Sequence, residues 1–367
     1  MNFSIKPQPG VSQIPVYKPG RPIEEVQKQF GITDVIKLAS NENPLGTSPK
    51  ALEAIRQAAT QLNMYPDGKS AVLAAALAQR FGVQADQVAV GNGADGLIME
   101  LCMAYLDEQS EVVVSCSSFP MYDVFSYTMR ARLVKTPLKE YGLDLQAMAR
   151  AITERTKLVF VCNPNNPTGT ALNAVEVDAF LKDVPEHVIV VFDEAYYEYA
   201  ASPEFPDTID YVRRGVQNVV VLRTFSKAYG LAGVRVGYGF ACAPLLAPLK
   251  LVKEPFAVNL LAQAAGLAAL EDDAFCARSV ALNNEGKAYL YREFERLGLF
   301  YVPTYTNFIL TRLGPKMLWL VERLMEHGII IRPGDAYDLP EFARITIGTA
   351  EQNRRLVQTL EKLLAEA

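Results

Sequence analysis

Histidine is nearly missing from this sequence: its 367 residues include two, His187 and His327. So few imidazoles make His-rich metal sites and Ser-His-Asp catalysis poor explanations of any activity, so proton transfer must fall to another side chain. C-x-x-C spacing is absent too. The five cysteines (Cys102, Cys116, Cys162, Cys242, Cys276) are scattered and odd in number, which excludes a disulfide framework or zinc site and points to free thiols in a reducing cytoplasm. Basic blocks are lacking: 36 Lys and Arg against 41 Asp and Glu leave a net charge of −5, so nucleic acid is not the expected partner. No window approaches the ~18 apolar residues of a membrane span. The opening MNFSIKPQPGVSQIP has prolines where a signal peptide needs an apolar run. A cytoplasmic protein without a membrane partner is expected.

Half the residues are hydrophobic and 21% are charged, a globular profile, and the length suggests two domains. The proline-rich first thirty residues predict an extended arm. From about Val88 to Phe240, short β-branched runs (Gln87–Val90, Glu111–Val114, Leu158–Cys162, Val188–Phe192, Asn218–Leu222) alternate with segments of helical spacing (Leu97–Tyr105, Leu145–Ile152, Val175–Leu181). That alternation predicts an α/β fold, a mostly parallel sheet with helices on both faces. After Val258 the pattern changes. An Ala-rich helix (Val258–Leu270), a charged helix (Asn283–Leu297), a helix near Pro315–His327 and strands at Thr306–Thr311 and Arg344–Ile347 predict a smaller α+β domain.

In open α/β sheets, ligands sit beyond the carboxyl ends of the strands. Three polar segments fall there: CNPNNPTGT (Cys162–Thr170), DEAYYEY (Asp193–Tyr199) and RTFSKAYGLAGVRVGY (Arg223–Tyr238). Lys227, if desolvated near such a sheet, becomes a nucleophile or base; otherwise it is a solvated loop lysine beside a surface arginine. The Thr224 and Ser226 hydroxyls with the Arg235 guanidinium suit a phosphate. Asp193 ends an apolar strand and can hold a cationic ring nitrogen or simply cap a helix. Tyr196 offers a hydroxyl nearby. Asn166 offers an amide, or serves only as turn chemistry. GNGADGLIMEL (Gly91–Leu101) reads as a glycine turn opening a helix, where the N–H groups of Ala94 and Asp95 face an anion. It is not a G-x-G-x-x-G fingerprint, so a dinucleotide is disfavoured. Phe119 can stack on an aromatic ligand or pack in the core.

In order and spacing, N-P-T-G, D-x-A-Y and T-x-S-K-x-x-G-L-A-G-x-R-x-G-Y resemble the pyridoxal-phosphate aminotransferases of the aspartate-aminotransferase fold. SNENPLG (Ser40–Gly46), YPDG at Tyr65, the GNGAD turn, NFIL (Asn307–Leu310), GIIIRP and RITIGT (Arg344–Thr349) resemble its histidinol-phosphate branch. The resemblance runs from about Pro15 to the end. It implies an arm over 1–30, a large cofactor-binding domain over 45–255, and a small domain of 31–44 with 256–367.

By that resemblance, Lys227 is the lysine that bonds to pyridoxal phosphate and shuttles the substrate proton, and Asp193 keeps the pyridine nitrogen protonated. Asn166 and Tyr196 match the pair on the ring 3′-oxygen, and Phe119 the stacking aromatic. Thr224, Ser226, Arg235 and the Ala94 and Asp95 amides match the phosphate cup. Tyr65 matches a tyrosine reaching the neighbouring subunit's cofactor, which implies a homodimer. Arg344 matches the arginine for the substrate anion, joined by Tyr17 and Arg332 for a substrate phosphate. Two departures bear on the substrate pocket: Gly96 stands where the branch usually has Glu, and SSFP (Ser117–Pro120) replaces its commoner wording. The implied reaction is ping-pong transfer of an amino group between histidinol phosphate and 2-oxoglutarate. An aromatic 2-oxo acid as acceptor, a lyase or decarboxylase, and a cofactor-sensing regulator stay open. The proline-rich stretch before SNENPLG is short for a helix-turn-helix, against the last of these.

Overall fold

The computed structural model describes residues 5–14, 16 and 20–366. In chain order, β1 (Ile36–Leu38), β2 (Val88–Gly91), β3 (Glu111–Ser115) and β4 (Arg132–Thr136) precede a short hairpin of β5 (Leu138–Lys139) and β6 (Gly142–Leu143). Then come β7 (Thr156–Cys162), β8 (Ile189–Asp193), β9 (Val219–Thr224) and β10 (Gly237–Ala241). The last four are β11 (Tyr301–Val302), β12 (Phe308–Arg312), β13 (Ile329–Pro333) and β14 (Phe342–Thr346).

One sheet has the order β2-β10-β9-β8-β7-β3-β4. Its strands run parallel except β10, which is antiparallel to both neighbours. Successive side chains of a strand point to opposite faces. Here Val159, Val161, Val190 and Phe192 enter one apolar core, and Leu158, Phe160 and Val191 enter another across the sheet. Both faces are thus covered, which is why these strands read as unbroken apolar runs. The second sheet, β1-β13-β14-β12-β11, is mixed: β1 joins β13 in parallel and the rest are antiparallel. Helices Asp273–Arg296, Met317–Glu326 and Ala350–Glu366 supply its core partners. The α/β class with a second, smaller sheet is the architecture expected.

Several expectations are corrected. Residues 1–30 are not all extended, because Ile23–Phe30 is a helix whose Val26 is buried in the core of the smaller sheet. The Ala-rich helix, Leu260–Leu270, does not belong with the small sheet. It packs on helices Pro49–Ala58 and Ala71–Phe81, and its Ala262, Ala265 and Ala269 join the large core. Its buried alanines and Gly266 allow that close approach: a Cβ at Gly266 would lie 3.1 Å from Leu73 Cδ2. The charged helix begins ten residues earlier than Asn283, at Asp273, where the Asp272 side chain caps it through Phe275 N. The segment Arg223–Tyr238 is a loop only in its middle, since its ends lie in β9 and β10.

Immediately after Asp193 and before Thr224, two opposite charges are shut away from water. Arg223 is 1% exposed and Glu194 is 0%. Their ion pair spans 2.8 Å (Nη2–Oε2), with Nε donating to the same oxygen at 2.9 Å. The guanidinium lies 3.3 Å from the centre of the Tyr197 ring, and the Thr208 hydroxyl donates to the other Glu194 oxygen. The pair locks the ends of β8 and β9 side by side. Removing one partner leaves a buried uncompensated charge. Arg223→Met is expected to cost about 3–5 kcal/mol in urea unfolding. A loss below ~1 kcal/mol would show that the pair does not hold these strand ends.

Candidate active site

The carboxyl ends of β7, β8 and β9 open, with the start of β10, onto a cavity of about 290 Å³ closed from the far side by the smaller sheet. Ala94, Asp95, Phe119, Asn166, Asp193, Tyr196, Thr224, Ser226, Lys227, Arg235, Arg332 and Arg344 all line it. Tyr65 does not. It lies on the surface, 81% exposed and stacked on Phe256 at 4.6 Å between ring centres. Tyr17 lies outside the described residues.

Asp193 ends β8 at 3% exposure. Burial pushes its carboxyl up to about 6, opposed by a hydrogen bond from the Tyr122 hydroxyl at 2.7 Å and one from Ala195 N at 3.2 Å. Lys227 moves the other way. Burial foremost, and then the Arg344 charge, lower its ammonium to about 8, against the pull of Asp95 and Glu42. Its Nζ lies 5.6 Å from the centre of the Tyr196 ring. One cavity thus holds a carboxyl and an amine whose titrations have moved toward neutrality, the arrangement expected of working acids and bases.

At one end of the cavity, Thr224 Oγ1 donates to Ser226 Oγ at 2.9 Å, and Arg235 Nη1 reaches that oxygen at 3.4 Å. Arg235 Nη2 pairs with Asp95 at 3.3 Å. Arg235 takes a left-handed backbone (φ 60°), which costs a non-glycine residue energy and aims its side chain at the helix opening at Gly93. Two glycines make that approach possible. A Cβ at Gly93 would sit 2.6 Å from Arg235 Nη2, and one at Gly237 would sit 2.4 Å from Ala94 N. The cup of hydroxyls, guanidinium and first-turn amides is therefore shaped by missing side chains.

At the other end, Arg332 on β13 and Arg344 on β14 are directly opposed in register, both nearly buried. Arg344 Nη1 donates to Asn166 Oδ1 and, at 2.9 Å, to the Tyr337 hydroxyl, while Nη2 donates to Ala39 O at 2.8 Å. Its Nε is buried without a hydrogen-bond partner among the described residues. Such a donor is costly unless an anion comes to meet it.

Sequence reasoning passed over Asn41, Glu42, Tyr337 and Cys162, which also line the cavity. Asn41, at φ 57°, donates from Nδ2 to the Tyr196 hydroxyl at 2.8 Å and is tied to the smaller sheet through Thr346 and Asn307. The signal was in SNENPLG, since asparagine tolerates the left-handed region. Gly96, one of the two departures from the branch pattern, does not line the cavity. Of SSFP, Phe119 and Pro120 do, while Ser117 donates to Tyr337 O at 2.7 Å and Ser118 to Asn165 at 3.0 Å.

The sequence model of the family described as aminotransferase class I and II matches residues 33–360. The chain belongs to that family. This aminotransferase is 47% identical to the histidinol-phosphate aminotransferase of Moorella thermoacetica over 363 residues, 99% of this chain and 92% of that one. It is 44% identical to that of Brevibacillus brevis, covering 99% and 100% of the two chains. The crystal structure of histidinol-phosphate aminotransferase from Sinorhizobium meliloti in complex with pyridoxal 5′-phosphate superposes with a TM-score of 0.91 at 30% identity, covering 99% and 98%.

In the cofactor-free aminotransferase, acylation of Lys227 by acetic anhydride should rise through a midpoint near pH 8, well below an ordinary lysine. Arg344→Met removes one of the charges that lowers this ammonium, so the midpoint should move upward. Peptide mass spectrometry reads both, and a midpoint above pH 10 in the unaltered protein contradicts the burial of this amine.

Proposed function

We propose that the protein is a pyridoxal-phosphate-dependent transaminase moving an amino group between histidinol phosphate and 2-oxoglutarate. The observation that carries it is the convergence of Lys227, Asp193 and the Arg332–Arg344 pair on one cavity whose opposite end is an anion cup. The residues fit the cofactor. The close approach allowed at Gly93 and Gly237 makes a phosphate cradle of Thr224, Ser226, Arg235 and the Ala94 and Asp95 amides. Asp193 supplies a buried carboxylate for the ring nitrogen, Asn166 and Tyr196 take the ring oxygen, and Phe119 covers the ring face. Bound there, pyridoxal phosphate supplies a cationic ring that accepts the electron pair left when the substrate carbon loses its proton.

The rest is done by the chain. Arg344 holds the carboxylate of the amino donor, and Arg332, with Tyr17, takes a substrate phosphate. Both substrates are anionic, which gives the buried Nε of Arg344 its partner. Lys227 takes the proton from the amine-bearing carbon and returns it elsewhere. With its ammonium lowered to about 8, about a tenth is neutral at pH 7 before any ligand enters. Tyr196 is aimed by Asn41, and its own hydroxyl stays protonated because burial raises it.

We infer a homodimer in the cytoplasm. Leu62, Met64, Tyr65, Val72, Leu251 and Phe256 are exposed apolar or aromatic side chains, and Tyr65, stacked on Phe256, would serve the partner's cofactor. Among the described residues, no helix is long and apolar enough to cross a membrane. Sedimentation velocity should give twice the chain mass, and Tyr65→Arg with Phe256→Arg should halve it. A monomer in the unaltered protein removes the shared site.

The activity itself is tested by half-reactions. The holoenzyme is mixed in turn with histidinol phosphate, phenylalanine, tyrosine, aspartate and glutamate, and the visible absorbance of the bound cofactor is followed. Rapid loss is expected with histidinol phosphate and glutamate. Silence with histidinol phosphate beside rapid reaction with phenylalanine overturns the substrate. Lys227→Ala should abolish both the lysine-bound absorbance and transamination, and normal turnover in that variant would sink the assignment.

A further inference from the structure

The phenol of Tyr122 belongs to no part of the mechanism above, yet it is the only side chain that donates a hydrogen bond to Asp193 among the described residues. Tyr122 lies in the helix Met121–Thr128, which follows β3, and is 0% exposed. Its ring is fixed from two sides. It stacks on Phe160 of β7 at 4.5 Å with an 8° angle between planes. Phe119, on the cavity wall, meets it edge-on at 5.5 Å and 82°. The hydroxyl donates to Asp193 Oδ2 at 2.7 Å, with the Cys162 thiol also within its reach.

A phenol ring this buried could have been phenylalanine if packing were its purpose. The hydroxyl needs explaining. We propose that Tyr122 is a positioning residue for the transaminase reaction, holding Asp193 ionised and oriented so that its other carboxylate edge faces the cofactor nitrogen. The inference rests on the reading of Asp193 given above.

The groups around Asp193 show why such a donor is needed. Asp95, from the helix at Gly93, and Glu194, next in β8's chain, both raise the carboxyl, and burial raises it most. Glu194 is paired with Arg223 and Asp95 with Arg235, so neither cation is directed at Asp193. The Cys162 thiol, register neighbour on β7, is held protonated by burial and the Asp193 charge, which pushes it to about 12. Against these, the Tyr122 hydroxyl foremost and then the Ala195 amide favour the ionised form, with Lys227 lining the same cavity. Tyr122 itself stays protonated, since burial and the adjacent carboxylate raise it far above its usual range. It is therefore a permanent donor. Hydrogen bonds to a charged group are among the stronger ones, and losing one moves a carboxyl by about one pH unit.

The test is Tyr122→Phe, which keeps the ring and removes one oxygen, read first without cofactor. Asp193 titrates higher in the fold than in the unfolded chain, at about 6 against about 3.9. Its protonation therefore stabilises the fold below pH ~4, and that contribution fades as pH rises through about 6. In Tyr122→Phe the melting temperature of the apoprotein should keep falling for about one further pH unit before it levels. In an Asp193→Asn background the same substitution should leave the shape of the pH profile unchanged. Placing 3-fluorotyrosine at 122, a more acidic phenol and stronger donor, should shift the profile the other way. The dissociation constant of pyridoxal phosphate at pH 7 should rise severalfold in Tyr122→Phe. Profiles that superimpose for Tyr and Phe, or an equal shift in the Asp193→Asn background, overturn the role. Failure of the unaltered apoprotein to bind pyridoxal phosphate at all would instead overturn the function from which it starts.

Discussion

Taking charge out of water is the constraint on which this structure turns. Asp193 and Lys227 line the same cavity, and burial shifts each toward its neutral form. Neither would be tolerable on a flexible loop. Each is fixed by the end of a buried strand, and those strand ends are fixed in turn by the Glu194–Arg223 pair directly behind them. The large apolar core therefore does more than stabilise. It is the low-dielectric wall that gives two ordinary side chains unusual proton affinities.

The two sheets divide the labour. The larger one, through its parallel strand ends, presents the groups that suit a cofactor. The smaller one brings Arg332 and Arg344, both nearly buried, and closes the cavity with Tyr337. Asn41 links them, hydrogen-bonded to Tyr196 on one side and to Thr346 and Asn307 on the other. The Tyr196 hydroxyl is thereby coupled to the position of β14, the strand that carries Arg344.

Much of this was legible in the sequence because chemistry is concentrated where apolar runs stop. Lys227, Asp193 and Asn166 each follow such a run closely, Arg235 lies farther along the same segment as Lys227, and all four reach the cavity. Strand β10 was not legible. Its Gly237-Tyr238-Gly239 carries no apolar alternation, and a strand of that kind is recognised only by the partners it slots between. The helix Leu260–Leu270 was assigned to the wrong core because a helix apolar on every face gives no stripe to orient it. Tyr122 escaped notice for a related reason. An aromatic inside an amphipathic helix looks like packing until its hydroxyl is seen against Asp193.

The register of Arg332 and Arg344 has a further meaning. Both come from neighbouring strands of the smaller sheet, while Thr224, Ser226 and Arg235 hang from the end of the larger one. The cavity therefore carries arginines at both ends, and the two ends belong to different sheets. A guest with an anionic group at each end ties the two sheets together, which a neutral molecule of the same shape cannot do.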